Sequence, residues 1–286
     1  MEWLERLNKS IDFLEKNICD EVNIAGAAEI ACLSKYHFQR MFHLVTGVTI
    51  AEYVRKRRLT LAAQELVTTD VKVIDVALKY GYSTPESFSK AFSRLHGVSP
   101  SNASKAEEAL TAYPKLSFQI QLKGVEKMDY KIVEKDGFKI VGKAIRVSSE
   151  NGENYKRIPE FWGECYSNGT CDKLAEKMGQ LGIMGVCMEG SEDGDKFTYV
   201  VAIEKPEEEM DIDLVEKEIP AANWAVFQAI GPMPDAIQNV WKSIYSEWFP
   251  STGYKHTGGP ELEVYYPGDS SAEDYKSEVW IPIIKD

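Results

Sequence analysis

The feature that most narrows the fold is a repeat. The segments AEIACLSKYHFQRMFHLVTGV and DVALKYGYSTPESFSKAFSRLHGV set Phe38 and Phe42 against Phe88 and Phe92, and Gly47-Val48 against Gly97-Val98, fifty residues apart in each case. A duplicated helix-turn-helix unit explains one offset held across several positions better than chance does. Ala28 and Ala77 stand where the first helix of each unit must come close to the second, and Gly81 lies in a turn that calls for a positive φ. In the first unit a helix from about Ile24 to Ala31 leads through Cys32 and Leu33 to a second helix that Ser34 caps. In the second, Ser83 and Glu86 have the spacing of a capping box. Thr49 and Glu52 form another, opening a long connecting helix, IAEYVRKRRLTLAAQELV, that carries Arg55 to Arg58 and sets the distance between the units. Ahead of both, Leu4, Leu7, Ile11, Leu14 and Ile18 draw one apolar stripe along a further helix.

Charge divides the chain in the same place. The net charge is −12, which by itself argues against a polyanionic partner. Yet residues 31–105 hold 11 basic against 5 acidic side chains, a net of +6, while residues 128–286 hold 16 against 30, a net of −14. The basic part suits an anion and the acidic part a neutral or cationic guest. At 286 residues, with 44% hydrophobic content, the chain is long enough for two ordinary domains. Its five cysteines, odd in number and without a CxxC pair, point neither to a disulfide framework nor to a metal site. The acidic, amphipathic start MEWLERLNKSIDFLEKNI is unlike a signal peptide, and no run is long enough to span a bilayer, so a cytoplasmic location is expected.

Residues 1–108, through LSKYHFQRMF, GVTIAEYVRKRRL, IDVALKYGY and SFSKAFSRLHGVSP in that order, resemble the DNA-binding domain of AraC/XylS transcription regulators. That resemblance implies that the second helix of each unit enters the major groove of double-stranded DNA, with the two readers about one helical turn, roughly 34 Å, apart. It also implies transcription activation with RNA polymerase as a partner. On the first reader Tyr36, Gln39, Arg40 and His43 share the face opposite Phe38 and Phe42, where Gln and Arg can address base edges. On the second the face carries Thr84, Ser87, Lys90 and Arg94, with Glu86 serving the cap, which makes it the weaker base reader. The four successive cations from Arg55 to Arg58 cannot share one side of a helix. Some must be solvated or paired with Glu52 or Glu65, and Arg57 is the one expected at a phosphate.

Residues 109–127 form a linker in which SFQIQLKG alternates as a short strand does. From 128 to 286 the pattern is α+β. YKIVE, FKIVGKAIRV, GIMGVCME, FTYVVAIE, NWAVFQAI, LEVYY and EVWIPII read as strands, and PEFWGECYS and PDAIQNVWKSIYSEWF as helices. The order strand, strand, helix, strand, strand thus occurs twice, which predicts a pseudo-twofold duplication with helices over one sheet face and a ligand groove on the other. The fold class is multidomain: an all-α double helix-turn-helix domain followed by an α+β domain.

MDYKIVEKDGFKIVGKAIRV, the IPEFW helix and the closing SEVWIPI strand resemble the GyrI-like effector-binding domain of multidrug-sensing regulators. The resemblance implies a carboxylate on the final strand that meets lipophilic cations amid aromatic rings, and Glu278 falls there. Glu278 and Trp280 share one side of their strand, where a carboxylate beside an indole would be desolvated unless a cation compensates it. Trp162, Trp224, Trp241, Tyr265 and Tyr266 are the expected walls, and Glu263 and Glu189 are lesser candidates for the carboxylate. These rings serve equally well as ordinary core. Neither a cofactor nor a catalytic residue is expected: there is no nucleophile elbow, phosphate loop or metal cluster, and His37, His43, His96 and His256 are poorly placed for a triad. Two alternatives to an effector-controlled regulator are hydrolysis of a reactive small molecule by the acidic domain and binding of a protein partner.

Overall fold

The computed structural model describes residues 2–105, 110–119, 128–149, 152–188, 196–208, 210 and 213–285. Its contacts form two bodies, one of Leu4–Cys32 with Val48–Ile120 and one of Met1–Trp3, Leu33–Gly47 and Gln121–Asp286.

The first body is helical: α1 (Glu2–Lys16), α2 (Ile24–Ala31), α4 (Ile50–Thr68), α5 (Val73–Lys79) and α6 (Pro85–His96). Asn23 caps α2 by accepting from Gly26 N, and Thr49 caps α4 by accepting from Glu52 N. Helix α6 starts one residue later than the Ser83 box predicts. Thr84 is its cap and accepts from Ser87 N, with Pro85 as the first helical residue, where a missing N–H costs nothing. Gly81 takes φ +80°, and a Cβ there would stand 2.7 Å from the Arg58 guanidinium. Phe88 and Phe92 pack with Leu59, Leu66, Val76 and Ala77 into one apolar cluster.

Residues 110–119 run without regular secondary structure along α1 and α4, fastened by side chains. The Asn8 amide exchanges two hydrogen bonds with the Phe118 backbone at 2.8 and 2.9 Å, and Thr60 Oγ1 accepts the Tyr113 N–H at 3.0 Å. Leu116 N donates to the Tyr53 hydroxyl at 3.2 Å. The strand expected in SFQIQLKG is absent from its described part, 117–119, and the remainder lies outside the described residues.

The second body joins α3 (Lys35–Thr46) to the C-terminal sheet. Ser34 caps α3 as expected, and Gly47 ends it at φ 75°, just as Gly97 ends α6 at φ 76°. The C-terminal elements are β1 (Tyr130–Lys135), β2 (Phe138–Ser148), α7 (Glu153–Ser167), α8 (Thr170–Lys177), β3 (Ile183–Met188), β4 (Lys196–Glu204), β5 (Val215–Ile219), β6 (Ala222–Ile230), α9 (Asp235–Ser243), a π-helical turn (Ile244–Trp248), α10 (Phe249–Thr252), β7 (Tyr254–His256), β8 (Glu261–Tyr265) and β9 (Lys276–Lys285). The pattern reading found every one of these except α8, α10, β5 and β7.

The strands form one antiparallel sheet in the order β1-β6-β9-β8-β3-β4-β2-β5, with β7 on β9. Exchanging β1 with β5, β2 with β6, β3 with β8 and β4 with β9 maps this order onto its own reverse. The expected duplication is therefore present, with its pseudo-twofold axis between β8 and β3. Connectivity also forces the sheet to curl. Two residues join β1 to β2, and two join β5 to β6, yet a flat sheet would hold each pair roughly 29 Å apart at about 4.8 Å per strand. Three residue steps span only about 11 Å. The two tight corners meet: a Cβ on Gly137 would lie 3.3 Å from both Ala221 N and Ile219 O.

One sheet face is lined by Met184, Val186, Trp224, Leu262, Val264 and Trp280 with no helical residue among its packed members. The other carries α7 and α8 through Phe161, Cys165, Cys171 and Leu174 against Phe197, Tyr199 and Val201. Helix α9 lies on β6 and β9.

Candidate functional site

Strand β8 sits at the centre of the sheet and has two unlike sides. Leu262 and Val264 point into the helix-free face, whereas Glu261, Glu263 and Tyr265 point under the helices. Trp241 Nε1 donates to Glu263 Oε1 at 2.7 Å, and the Tyr265 hydroxyl donates to Oε2 at 2.8 Å. Directly opposite Glu263 in the ladder is Gly185. A Cβ there would fall 2.2 Å from the Tyr199 hydroxyl, so the missing side chain makes room for Tyr199, which in turn accepts from Trp162 Nε1 at 2.8 Å. These groups border a cavity of about 340 Å³ walled by Trp162, Tyr166, Tyr199, Tyr265 and Tyr275, with Glu263 the sole charged side chain among its described lining residues. A carboxylate ringed by aromatic faces suits a cation with an apolar body.

Next to this cavity, and sharing Glu263 and Tyr199 with it, is a smaller space lined by Arg40 and Tyr36 of α3. Arg40 is 8% exposed. Its Nη1 donates to Glu261 Oε2 at 2.6 Å and its Nη2 to Glu263 Oε1 at 3.1 Å, while the guanidinium carbon lies 3.9 Å over the Trp241 ring. Glu261 Oε1 accepts from the Tyr245 hydroxyl at 2.7 Å. Burial pushes the Glu261 carboxyl up, but Arg40, His37 and His256 outweigh it, and the net shift is well below the usual carboxylate range. Burial, with His256 alongside, depresses His37 to about 3, so its imidazole is neutral at pH 7. Burial also pushes the Cys187 thiol up to about 12, leaving it protonated.

The other residues expected to read DNA from α3 face the same way. Tyr36 packs on Phe197 with ring centroids 4.1 Å apart, and His43 stacks on Tyr155 at 4.0 Å. The Gln39 carbonyl accepts from Ser149 Oγ at 2.7 Å. All four of these side chains thus contact the C-terminal sheet, its helices or, for Gln39, the segment just after β2. On α6, by contrast, Thr84, Ser87, Lys90 and Arg94 are all exposed on one side.

Arg57 does not have the position expected of a phosphate ligand. It is 9% exposed, pairs with Glu15 at 2.8 Å through both Nε and Nη2, and donates to the Tyr113 carbonyl at 2.6 Å. Of the run Arg55 to Arg58, Lys56 makes the expected pair with Glu52, while Glu65 pairs with Lys79. Arg58 is likewise used within the fold, on the Ile18 and Asp20 carbonyls. Arg55 is the exposed member of the cluster.

Glu278 lies on the sheet face expected for it, beside Trp280 and Tyr266, whereas the cavity lies on the other face. Glu278 pairs with Val264 in the ladder and therefore faces away from the cavity, into the helix-free side. There Trp280 Nε1, the Tyr266 hydroxyl and Lys131 Nζ satisfy it at 2.8, 3.0 and 3.3 Å. Trp224 and Trp280 meet edge to face at 6.0 Å on that side, and Trp224 is fully buried. Of the expected walls, Trp162 and Tyr265 line the cavity and Trp241 supports Arg40, while Trp224, Tyr266 and Trp280 belong to the opposite face. Glu189 lies outside the described residues.

Among the described residues, His37, His256 and Glu261 are the acid and imidazole group close enough to share a metal ion. His256 Nδ1 accepts the Gly258 N–H at 2.8 Å, and its Nε2 lies 3.3 Å from Glu261 Oε1. With Arg40 on the other Glu261 oxygen, the cluster is an ion-pair network and a poor fit to a metal.

The family model for integron-associated effector binding proteins matches residues 131–283, and a helix-turn-helix domain model matches residues 27–106. The transcriptional activator AarP of Providencia stuartii is 37% identical over 95 residues, 33% of this chain and 70% of AarP. The regulatory protein SoxS of Salmonella typhimurium strain LT2 is 40% identical over 92 residues, 32% of this chain and 86% of SoxS. The solved structure of SAV2435 bound to tetraphenylphosphonium shares the C-terminal fold, at 24% identity and TM-score 0.50 over 55% of this chain and 94% of that one. No helix among the described residues is long and apolar enough to cross a membrane.

Proposed function

We propose, since this chain belongs to the family of integron-associated effector binding proteins and joins that domain to an AraC-type helix-turn-helix region, that a hydrophobic monovalent cation seated against Glu263 controls its hold on DNA. The chain is a DNA-binding regulator with a small-molecule effector domain. Residues 1–108 serve as the reader and 128–286 as the sensor, activation is its mode, and RNA polymerase is the partner on the promoter. Regulation of transcription, in place of hydrolysis, is the work of the whole chain.

The observation that carries the effector class is the cavity of about 340 Å³, with its aromatic walls and single carboxylate. Two carboxylates, Glu261 and Glu263, face one guanidinium, so the buried cluster has one negative charge to spare. A guest cation supplies the missing charge, and each ring face adds roughly 0.5 to 2 kcal/mol.

Tetraphenylphosphonium, the ligand of SAV2435, is the probe. Titrated into the full chain and followed by tryptophan fluorescence, it is expected to bind saturably. Glu263→Gln should weaken binding at least tenfold, while Glu278→Gln should leave it within about twofold. Equal losses in both variants, or competition by an uncharged aromatic of similar size, would overturn the assignment.

A further inference from the structure

We infer that Arg40 is a built-in competitor for the effector: its guanidinium fills the inner end of the cation site, and a cation that takes its place frees the reading face of α3 for DNA. This rests on the reading of Glu263 given above and adds to it the link between effector and DNA.

The chemistry of the two spaces is the same. Arg40 lies over the Trp241 ring between two carboxylates, which is how a cation-selective cage holds its guest. Glu263 is their common wall, with Oε1 turned to Arg40 and Oε2 to Tyr265 at the cavity. A ligand with a planar cationic head and an aromatic body fits both parts. An aryl amidine or aryl guanidine would place its head between Glu261 and Glu263 over Trp241, and its rings among Trp162, Tyr199 and Tyr265.

Charge sets the direction of the coupling. With Arg40 in place the cage carries two carboxylates and one cation. When α3 withdraws, His37 leaves with it, and the two carboxylates keep Tyr245, Tyr265, Trp241 and His256 as neighbours in place of the guanidinium. A buried carboxylate without a cation is costly. The withdrawn state therefore binds an external cation more tightly than the docked one does. DNA, too, can be read only by the withdrawn state, because Tyr36, Gln39, Arg40 and His43 are all engaged by the C-terminal sheet, its helices or the segment just after β2 when docked. Two ligands that prefer the same state strengthen each other's binding.

The test uses the full chain, benzamidine and tetraphenylphosphonium as probes, and a labelled duplex selected in vitro with the same protein. Tryptophan fluorescence reads cation binding, and anisotropy reads duplex binding. Either cation should raise duplex affinity of the wild type. Arg40→Ala should bind benzamidine at least ten times more tightly than wild type. Glu261→Gln, which loosens Arg40 but keeps it available to DNA, should raise duplex affinity at least threefold without any cation. Should Arg40→Ala fail to fold, the double variant Arg40→Ala/Glu261→Gln carries the measurement, with tighter benzamidine binding than Glu261→Gln alone expected. Benzamidine affinity unchanged by loss of Arg40, or duplex affinity unchanged by Glu261→Gln, overturns the competition. Saturable tetraphenylphosphonium binding that Glu263→Gln abolishes, with no response in duplex affinity, also overturns it and leaves standing only the assignment of Glu263 as the cation contact. No binding of either cation to wild type and Arg40→Ala overturns both.

Discussion

Two arginines in this chain are nearly inaccessible to water, and each is held by acids far away in sequence. For Arg57 the acid is Glu15, 42 residues earlier, and a chain carbonyl at Tyr113 fills the next donor. Removing one partner of such a pair leaves the other as an uncompensated charge, which costs about 3 kcal/mol or more. Arg57→Ala is accordingly expected to lower the free energy of unfolding of the helical body, read by urea titration, by that amount. The slope of DNA affinity against salt should not move. Arg55→Ala should do the reverse, leaving the free energy of unfolding within about 0.5 kcal/mol and reducing the salt slope by about 0.9, the share of one phosphate contact. Nothing in the run RKRR distinguishes these four residues, because helical spacing gives their directions around the axis and says nothing about which direction holds Glu15.

At the scale of elements, local pattern was a good guide wherever a helix cap or a two-residue period is self-contained. The fifty-residue offset, the caps at Ser34 and Thr49 and the turn at Gly81 all stand as read. The strand faces stand as alternation gives them: Glu278 and Trp280 share the side of β9 away from the helices, opposite Val264 and Leu262, and Val279 lies under the helices opposite Glu263; what differs is the cavity, which lies under the helices and not on the open face expected to hold the groove. The clue to Glu263 was present in ELEVY, a central strand whose alternate positions are acid, acid and tyrosine. Its partner Gly185 supplies the element-scale prediction. Gly185→Ala would place a methyl group on the Tyr199 hydroxyl and break the Trp162 contact. Tetraphenylphosphonium affinity should fall about tenfold, with secondary structure by circular dichroism unchanged; full retention of affinity would show that Tyr199 plays no part in the cage.

For the molecule as a whole, the docking of α3 on the C-terminal sheet carries a pH dependence of definite sign. His37 faces Glu261, His256 and Arg40 in the docked state and is neutral there, with its pKa brought down to about 3 from an ordinary 6.5. Docking is fully supported above pH 6.5 and weakens as pH falls toward 3, because the withdrawn helix takes up a proton that the docked one refuses. Glu261, whose carboxyl is also held below its ordinary range, adds to the loss below about pH 4.5. Release of Arg40 from Trp241, read by tryptophan emission, should steepen by up to tenfold per pH unit between 6 and 4.5. His37→Gln should flatten that segment of the curve.

Spacing within the chain was enough to establish a doubled helix-turn-helix, a duplicated α+β domain and the charge contrast between them. These follow from periods of 3.6 and 2 residues and from cap chemistry, all of which act over a few residues. The choice of Glu263 over Glu278, the burial of Arg57 and the capture of Arg40 by Glu261 and Glu263 came from contacts spanning 12 to 223 residues. Coulombic attraction and desolvation act through space, and a linear pattern carries no record of which distant side chains the folded backbone will bring within 3 Å of one another.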